Sequence, residues 1–394
     1  MKYLLIVPDG MADEPLAELD GATPLQVAGT PNMDALASRG TVGTVKVTPP
    51  DMYPGSDVAN MALLGYDPRS FYSGRGPIEA AAMGISLDTR DVAFRCSLVA
   101  TDGERLLDYS AGHITTEDAR PLVLLAAEKL GTRSLHLYPG VSYRHILIWN
   151  DGPVDLLTHA PHENMGRALS EILPSGDGES LLRRFIWDSL ELLDDHPFNR
   201  RRRDEGLPPA NMLWPWGQGR AVSLPSFFSL HGVTGAAIAG VDVVRGLGRI
   251  VGLEVPIVPG ATGYLDTDYG AKARAALEAF TRHAFVWVHI EAPDEAGHAG
   301  RLDQKIEAIE KIDRLVVGPL VDGLAKLDHC RILIVPDHAT PVSTRKHKAM
   351  AVPFLMFDSR TERHNLIPFD ERAEAEATEH ESEGFKLIRR LFRE

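Results

Sequence analysis

The chain has 394 residues, 44% hydrophobic and 24% charged, a balance typical of a globular protein long enough to bury a large core. The formal net charge of −14 argues against nucleic acid or an anionic membrane as a partner, but it leaves a small anionic substrate open. The two cysteines, Cys96 and Cys330, lie in no metal-binding spacing, so we expect no disulfides and a reducing, cytoplasmic location. No apolar stretch approaches the ~20 residues of a membrane-spanning helix.

The first quarter of the chain alternates strand and helix patterns. An apolar run at 3–7 ends in Pro-Asp-Gly and predicts a buried parallel strand followed by a loop. Residues 31–39 predict a helix with Thr30 as its N-cap. A strand at 41–47 and a turn-rich loop come next, and a second helix is predicted from about Ser56.

The last part of the chain repeats this alternation. Helices are predicted from Asp242, over 302–324 with a break at Pro319, and over 382–391, where a basic amphipathic helix should pack on the core. Alternating strands and helices predict an open, mostly parallel sheet that is covered on both faces. The strands between these helices are predicted at 235–240, 284–290, 331–335 and 351–357.

The middle of the chain follows a different pattern. Residues 89–218 combine alternating apolar stretches with helices at 116–130 and 179–193, which predicts a separate, smaller α+β domain. The sequence therefore predicts a discontinuous core of residues 1–88 and 219–394 interrupted by an insert.

Two further segments are interpreted as structural. The glycines at 246, 248 and 252 do not match the spacing of a dinucleotide-binding loop, so we expect them to lie inside the helix that begins at Asp242, where they allow close packing. The four arginines at 200–203 are interpreted as a solvated face of the insert, because the protein as a whole is acidic.

Acidic and imidazole side chains follow three of the predicted strands. Because parallel strands gather their carboxyl ends at one edge of a sheet, groups that are remote in sequence should converge there. The groups are Asp9 after the first strand, Glu291, Asp294 and His298 after the second, and Asp337, His338 and His347 after the third.

These groups could hold two divalent cations. The mixture of carboxylates and imidazoles suits Mn²⁺, Zn²⁺, Fe²⁺ or Co²⁺, whereas Mg²⁺ favours fewer histidines. Asp294 and His298 share one face if they lie on a helical turn. Asp337 and His338 can reach one ion only from a loop, and Pro336 and Pro341 make a loop there plausible.

Ser56 is the candidate nucleophile, because it begins a helix whose free N–H groups suit a phosphate. Two adjacent cations can activate such a hydroxyl and support an in-line phosphoryl displacement. Each group also has an ordinary interpretation: Asp9 as a turn former, Ser56 as a helix cap and His289 as a packed core histidine. His113, His159 and His162 are individually ambiguous, so the prediction rests on the conjunction of groups.

The sequence resembles the archaeal-type branch of the cofactor-independent phosphoglycerate mutases, within the alkaline phosphatase superfamily. Segments along most of the chain carry the resemblance, in order VPDGMAD, TPNMDALASRG, PGSDVANMALLGYDP, SGRGPIEAAAMGI, PGATGYLDTDY, HIEAPDEAGHAG, VPDHATP and KHKAMAVPF. The resemblance implies an α/β, alkaline-phosphatase-like, doubly wound sheet with an inserted α+β lid domain. It also implies interconversion of 3-phosphoglycerate and 2-phosphoglycerate in glycolysis, through a phosphoserine and without 2,3-bisphosphoglycerate.

The resemblance further implies roles for individual residues. Ser56 would become phosphorylated, and the two ions would be Mn²⁺, with Mg²⁺, Co²⁺ or Zn²⁺ as alternatives. The candidates for gripping the substrate are Arg95, His113, Arg144 and His162 in the insert and Lys272 in the core. One metal would be held by Asp294, His298 and His347, and the other by Asp9, Ser56, Asp337 and His338.

Other activities on the same core remain open. A metal-dependent phosphatase, another phosphotransferase such as a homoserine-kinase-like enzyme, and a non-catalytic metal-binding protein are the alternatives. The chain has no Walker loop and no kinase glycine loop, which argues against a nucleotide donor. It also departs from the archaeal pattern in the insert, where that pattern has an arginine at the position of His113 and an Arg-Gly pair at the stretch 214–217. The sequence does not define an oligomeric state.

Overall fold

The computed structural model describes residues 1–327, 329–361 and 363–392. The chain divides into two compact units. The first unit comprises Met1–Tyr72 and Leu224–Glu394, and the second comprises Ser73–Ser223.

The strands and helices alternate along most of the chain. The strands are β1 Lys2–Pro8, β2 Thr41–Val45, β3 Val92–Thr101, β4 Leu106–Asp108, β5 Leu135–Val141, β6 Arg144–Trp149, β7 Leu156–Leu157, β8 Ser175–Gly176, β9 Met212–Arg220, β10 Gly235–Ile238, β11 Phe285–Ile290, β12 Cys330–Ile334, β13 Val352–Asp358 and β14 His380–Glu381.

The α-helices are distributed over both units. They are α1 Pro24–Val27, α2 Pro31–Ala37, α3 Ser56–Leu63, α4 Pro68–Phe71, α5 Arg75–Ala82, α6 Thr116–Leu130, α7 Leu169–Ile172, α8 Glu179–Leu193, α9 Pro197–Asp204, α10 Phe227–His231, α11 Asp242–Ile250, α12 Tyr269–Ala279, α13 Ala292–Ala299, α14 Leu302–Ile312, α15 Gly318–Leu324, α16 Ala373–Glu376 and α17 Gly384–Phe392. Short 3₁₀ helices occupy Ala17–Leu19 and Pro161–Glu163, and a π-helix occupies Asp313–Val317.

A seven-stranded sheet, counted over the described residues, forms the centre of the first unit. Its strand order is β10-β11-β1-β12-β13-β2-β14, and only β13 runs antiparallel to its neighbours. Every residue from Leu4 to Val7 on β1 is fully buried, so helices cover both faces of the sheet at its centre. The predicted α/β class, with a doubly wound and mostly parallel sheet, is confirmed.

The helical segment after residue 302 is interrupted, as predicted, ahead of Pro319. The π-helix separates α14 from α15, and Pro319 lies in the first turn of α15. The π-helix also carries Asp313, whose carboxylate accepts hydrogen bonds from the backbone amides of Asn32 and Met33 at the start of α2. Thr30 occupies the N-cap position but makes no capping hydrogen bond, so the predicted capping role belongs to Asp313.

The second unit is built around an antiparallel sheet. Its strands run in the order β4-β3-β6-β5, and β9 pairs with β3. Helix α6 packs on β5, and α8 packs on β9. A buried cluster that includes Phe94, Val123, Leu147 and Phe185 fills the space between the sheet and these helices, which gives the unit a core of its own. The second unit therefore combines an antiparallel sheet with helices.

The border of the second unit lies at residue 73 instead of residue 89. Helix α5 packs on β3 and β9, so it belongs to the second unit although it precedes the sheet in the sequence. The arginine run at 200–203 is exposed, as interpreted, except at Arg202. Arg202 is buried, and its guanidinium donates to the carbonyls of Pro208 and Ala111, so it ties α9 to two loops.

The C-terminal helix α17 packs on the first unit, as predicted. Leu387, Ile388 and Leu391 are fully buried and form its apolar face, and the helix contacts α3 and β12. Cys96 and Cys330 are both buried free thiols. Within the described ranges, none of the helices combines the length and the apolarity that crossing a lipid bilayer requires.

Replacing Leu387 by alanine tests the docking of α17. We expect the substitution to lower the free energy of unfolding by about 2–5 kcal/mol, because it leaves a cavity in a fully buried site. Lys386→Ala, one residue earlier on the exposed side of the helix, should change it by no more than about 0.5 kcal/mol. Chemical denaturation measures both values, and equal losses in the two variants would contradict the docked position.

Candidate active site

Three adjacent parallel strands bring acidic residues to one edge of the sheet in the first unit. Strand β1 lies between β11 and β12, and Pro8 pairs with Ile290 at the ends of their strands. Asp9 follows β1 directly, Asp294 lies in the first turn of α13 after β11, and Asp337 lies in the loop after β12. All three carboxylates are at least 96% buried.

Asp294, His298 and His347 form what we call the first subsite. Asp294 and His298 are four residues apart on α13, so they share one helix face, and Nε2 of His298 lies 3.3 Å from Oδ2 of Asp294. Nε2 of His347 lies 3.4 Å from Oδ1 of Asp294 and 2.9 Å from Nε2 of His298. Burial lowers the pKa of His298, but the contact with Asp294 outweighs burial and raises it to about 9.

Asp9, Ser56, Asp337 and His338 form what we call the second subsite. The Ser56 hydroxyl lies 3.3 Å from Oδ2 of Asp9 and 3.2 Å from Nε2 of His338. The same imidazole nitrogen lies 3.2 Å from Oδ1 of Asp9 and 3.7 Å from Oδ2 of Asp337. Asp337 and His338 are adjacent in the chain, and their loop lets both side chains reach one point.

Both subsites have the spacing of a cation's ligands. Ligand atoms at about 2.1 Å from a tetrahedrally bound ion lie about 3.4 Å from one another. The observed separations in the two subsites, from 2.9 to 3.7 Å, bracket that value. Oδ1 of Asp9 is buried without a hydrogen bond, which also fits a carboxylate that faces a cation.

The two subsites adjoin each other. Single ligand atoms of Asp9, Asp294 and His338 lie within 4.8 Å of one another, and the rings of His338 and His347 stack with their centres 4.0 Å apart. Burial, together with the negative charges of Asp337, Glu291 and Asp294, raises the pKa of Asp9 well above its ordinary value. A concentration of positive charge at this point would favour ionisation of these carboxyl groups.

His289 belongs to this group of side chains, although its apolar strand predicted only a packed core residue. It is 1% exposed on β11, and its Nε2 lies 3.3 Å from Oδ2 of Asp9 while its Nδ1 lies 3.8 Å from Glu291. Neither ring nitrogen makes a hydrogen bond. Burial lowers the pKa of His289 to about 4, so the ring is neutral at neutral pH. In the sequence, the position of His289 just before the acidic residues at 291–295 could have indicated that it belongs to the site.

Other polar side chains that the sequence analysis did not select hold the ligands in place. Asn60, one turn after Ser56 on α3, donates to the carbonyl of Ser56 and to Oδ2 of Asp337. Lys305 is fully buried on α14 and donates to Asp13 and to the carbonyl of Thr340. These residues fix the loops that carry the ligands.

Lys272, the substrate-binding candidate in the first unit, is fully buried on α12. Its amine donates to the carbonyl of His289 at 3.2 Å, and burial lowers its pKa to about 8 against the opposing charge of Glu291. The amine therefore lies against the backbone of β11, the strand that carries His289.

The four candidates in the second unit gather around three aromatic rings. The guanidinium of Arg95 lies over the ring of Trp216 at 5.0 Å and over that of Tyr143 at 6.0 Å. Arg144 lies 5.9 Å from the Tyr143 ring. The ring of His162 packs on that of Trp216, with the ring centres 5.2 Å apart. Both His162 and His113 also pack on the ring of Tyr109, at 6.2 Å and 6.0 Å. His159 instead pairs through Nδ1 with the carbonyl of Ile172.

Glu79 holds the arginines of this cluster, and the sequence analysis did not select it. The carboxylate of Glu79 is buried on α5 and accepts hydrogen bonds from Arg75 at 2.7 Å and Arg95 at 2.8 Å. Burial raises the pKa of Glu79, but the charges of Arg95 and Arg75 outweigh burial and hold it below its ordinary value. Arg95, 5% exposed, is thus a buried cation whose orientation is set by Glu79 and Trp216.

Comparisons with known proteins agree on one family. A family model described as 2,3-bisphosphoglycerate-independent phosphoglycerate mutase matches residues 37–199. An enzyme of that name from Methanothrix thermoacetophila is 46% identical, with 99% of each chain covered. A probable enzyme of the same name from Geobacter sulfurreducens is also 46% identical, with 98% of each chain covered.

Solved structures extend the similarity to the whole fold. The PH0037 protein of Pyrococcus horikoshii superposes with a TM-score of 0.83 at 31% identity, over 99% of this chain and 96% of that one. A cofactor-independent phosphoglycerate mutase from Thermoplasma acidophilum gives a TM-score of 0.65 at 27% identity, over 99% of both chains. With relatives this similar along nearly its full length, the chain belongs to the family of 2,3-bisphosphoglycerate-independent phosphoglycerate mutases.

Proposed function

We propose that this protein interconverts 3-phosphoglycerate and 2-phosphoglycerate by phosphoryl transfer through Ser56. The observation that carries the proposal is the convergence of two adjoining cation subsites on one serine hydroxyl at the start of α3. Full-length relatives named as phosphoglycerate mutases supply the substrate class. The protein is therefore an isomerase that needs no 2,3-bisphosphoglycerate.

Two divalent cations fit the subsites. Asp294, His298 and His347 would hold one, and the second subsite defined above would hold the other. The mixed oxygen and nitrogen donors favour Mn²⁺, with Co²⁺, Zn²⁺ or Mg²⁺ as substitutes. Bound there, the cations would supply Lewis acidity, which lowers the pKa of a nearby hydroxyl and neutralises phosphate oxygens.

Ser56 is the proposed nucleophile. Its Oγ points into the second subsite, where Asp9 and His338 contact it, and the backbone holds it at the first position of α3. The free N–H groups at that helix start favour an anion beside Oγ. As the bond from Oγ of Ser56 to phosphorus forms, the ester bond between phosphorus and the glycerate oxygen breaks, and that oxygen takes up the proton that leaves Oγ. The phosphoserine then returns the phosphoryl group to the other glycerate hydroxyl, whose proton goes back to Oγ.

The second unit is proposed to hold the glycerate. Arg95 and Arg144 present planar guanidinium groups that match a carboxylate or a phosphate, and His113 and His162 lie in the same aromatic cluster. Lys272 of the first unit is proposed to add a positive charge. Transfer requires that the glycerate hydroxyl outcompete water, so a unit that holds the acceptor in place and excludes water is needed. The buried thiols of Cys96 and Cys330 suit a protein that works in the cytoplasm.

The product distribution tests the activity itself. With 3-phosphoglycerate and Mn²⁺ we expect 2-phosphoglycerate, measured by phosphorus NMR, with little free phosphate. Chelation by EDTA should abolish turnover, because Asp9 and its neighbours would lose their cations, and added Mn²⁺ should restore it. Release of free phosphate as the main product would instead indicate a phosphatase, and transfer only in the presence of a nucleotide would indicate a kinase.

Replacing Ser56 by alanine tests the covalent route. We expect kcat to fall roughly 10⁴-fold or more and the phosphoenzyme to disappear, because no other hydroxyl replaces the nucleophile. Cation binding should persist with reduced affinity, since the subsites keep their other ligands. Ser38→Ala, an exposed serine of the same unit, is the matched control. Acid-quenched reactions with radiolabelled substrate measure the phosphoenzyme, and near-normal turnover of Ser56→Ala would exclude it as the nucleophile.

Replacing Arg144 by alanine tests the role of the second unit. Phosphoryl transfer between the glycerate hydroxyls should fall about 10²-fold, because the acceptor loses a positioning contact. Slow hydrolysis of p-nitrophenyl phosphate, which needs no glycerate, should persist. Arg133→Ala, an exposed arginine of the same unit, should leave both rates unchanged. Parallel loss of both reactions in the Arg144 variant would contradict a role confined to the glycerate.

A further inference from the structure

We propose that Thr340 is a positioning residue whose single hydroxyl links the two cation subsites, an inference that rests on the two-cation function proposed above. The Thr340 hydroxyl donates a hydrogen bond to Oδ1 of Asp294, a ligand group of the first subsite. The same oxygen lies 3.2 Å from Nδ1 of His338, a ligand group of the second. Thr340 itself is fully buried and is not among the proposed ligands.

The chemistry of Asp294, Thr340 and His338 determines which group donates each of the two hydrogen bonds. Oδ1 of Asp294 is the acceptor in its contact with Thr340, so the Thr340 hydroxyl is the donor there. A threonine hydroxyl carries one proton, and Thr340 uses that proton on Asp294. The contact with His338 must therefore run the other way, with Nδ1–H of His338 donating to Oγ1 of Thr340.

This direction fixes the tautomer of His338. A neutral imidazole carries one N–H, and placing it on Nδ1 leaves Nε2 with a free lone pair. Nε2 is the atom that faces Ser56 and Asp9, so the lone pair points to the position where a cation would bind. A metal-binding histidine commonly donates a hydrogen bond through its other ring nitrogen. That hydrogen bond sets the tautomer and the ring orientation, and its loss lowers the metal affinity.

Neighbouring backbone segments pack closely around Thr340. A Cβ on Gly10, which adopts φ +60°, would lie 2.7 Å from Oγ1 of Thr340 and 2.6 Å from Oδ1 of Asp294. A Cβ on Gly297 would lie 2.3 Å from the Thr340 carbonyl, which also accepts a hydrogen bond from Lys305 at 2.8 Å. Two glycines and a buried lysine therefore hold Thr340 between Asp294 and His338.

A shared hydroxyl makes both subsites depend on one residue. Without it, Asp294 loses a donor in the first subsite, and His338 loses the acceptor that selects its tautomer in the second. We therefore expect Thr340→Val, which keeps the shape of the side chain and removes the hydroxyl, to weaken the binding of both cations by about 10–100-fold. Thr340→Ser, which keeps the hydroxyl, should restore most of the affinity.

Titration of the metal-free protein with Mn²⁺, followed by electron paramagnetic resonance, measures both binding steps without any assay of turnover. Thr344→Val is the matched control, because Thr344 lies in the same loop, is exposed, and has no contact with a ligand residue among its hydrogen bonds. Circular dichroism confirms folding of each variant. Thr340→Ala provides a second variant without the hydroxyl if the valine variant does not fold.

The possible results separate the two proposals. Weakening of both cations in Thr340→Val, with recovery in Thr340→Ser, supports the link. Unchanged binding, weakening of one cation only, or failure of serine to restore affinity overturns it. Failure of the unmodified protein to bind two cations would instead overturn the proposed two-cation function, and that result is read from the unmodified protein alone.

Discussion

The first unit brings together four carboxyl groups that repel one another, three of them buried and one, that of Glu291, partly buried. Asp9, Glu291, Asp294 and Asp337 follow three neighbouring strands and are largely withdrawn from water. Two like charges about 4 Å apart repel by about 4 kcal/mol at the effective dielectric near a protein surface. In agreement with this, burial and the neighbouring carboxylates raise the pKa of Glu291 to about 8. The proposed pair of divalent cations would offset this repulsion and favour ionisation of the cluster.

The parts of this arrangement that depend on local pattern could be predicted from the sequence. An apolar run that ends in an acidic residue identifies both a buried parallel strand and the sheet edge where that residue lies, as β1 and Asp9 show. The spacing of Asp294 and His298 places both on one face of α13. Helices α6 and α8 follow the predicted ranges because each has an apolar face along its whole length and a residue that ends it.

The parts that depend on pairing across long sequence distances could not be predicted. Thr340 lies 46 residues from Asp294 along the chain, and nothing in its own segment indicates that contact. Asp313 caps α2 by accepting a hydrogen bond from the backbone amide of Met33, 280 residues away in the chain. The sequence around Asp313 does not indicate that contact either. Glu79 and Arg202 look like ordinary surface residues in sequence, and burial against partners far along the chain gives them their roles. The border at residue 73 likewise reflects which sheet α5 packs on.

The proposed division of labour between the units follows from what each can stabilise. The first unit concentrates carboxylates and imidazoles, which would hold the proposed cations. The cations would make phosphorus easier to attack but would not distinguish a glycerate hydroxyl from water. The second unit concentrates guanidinium groups on aromatic faces, and Glu79 fixes Arg95 there. A planar, fixed cation recognises a carboxylate by shape as well as charge. Under the proposed function, the residues around Trp216 and Tyr143 would select the acceptor and so favour isomerisation over hydrolysis, and this sequence also departs from the archaeal pattern there.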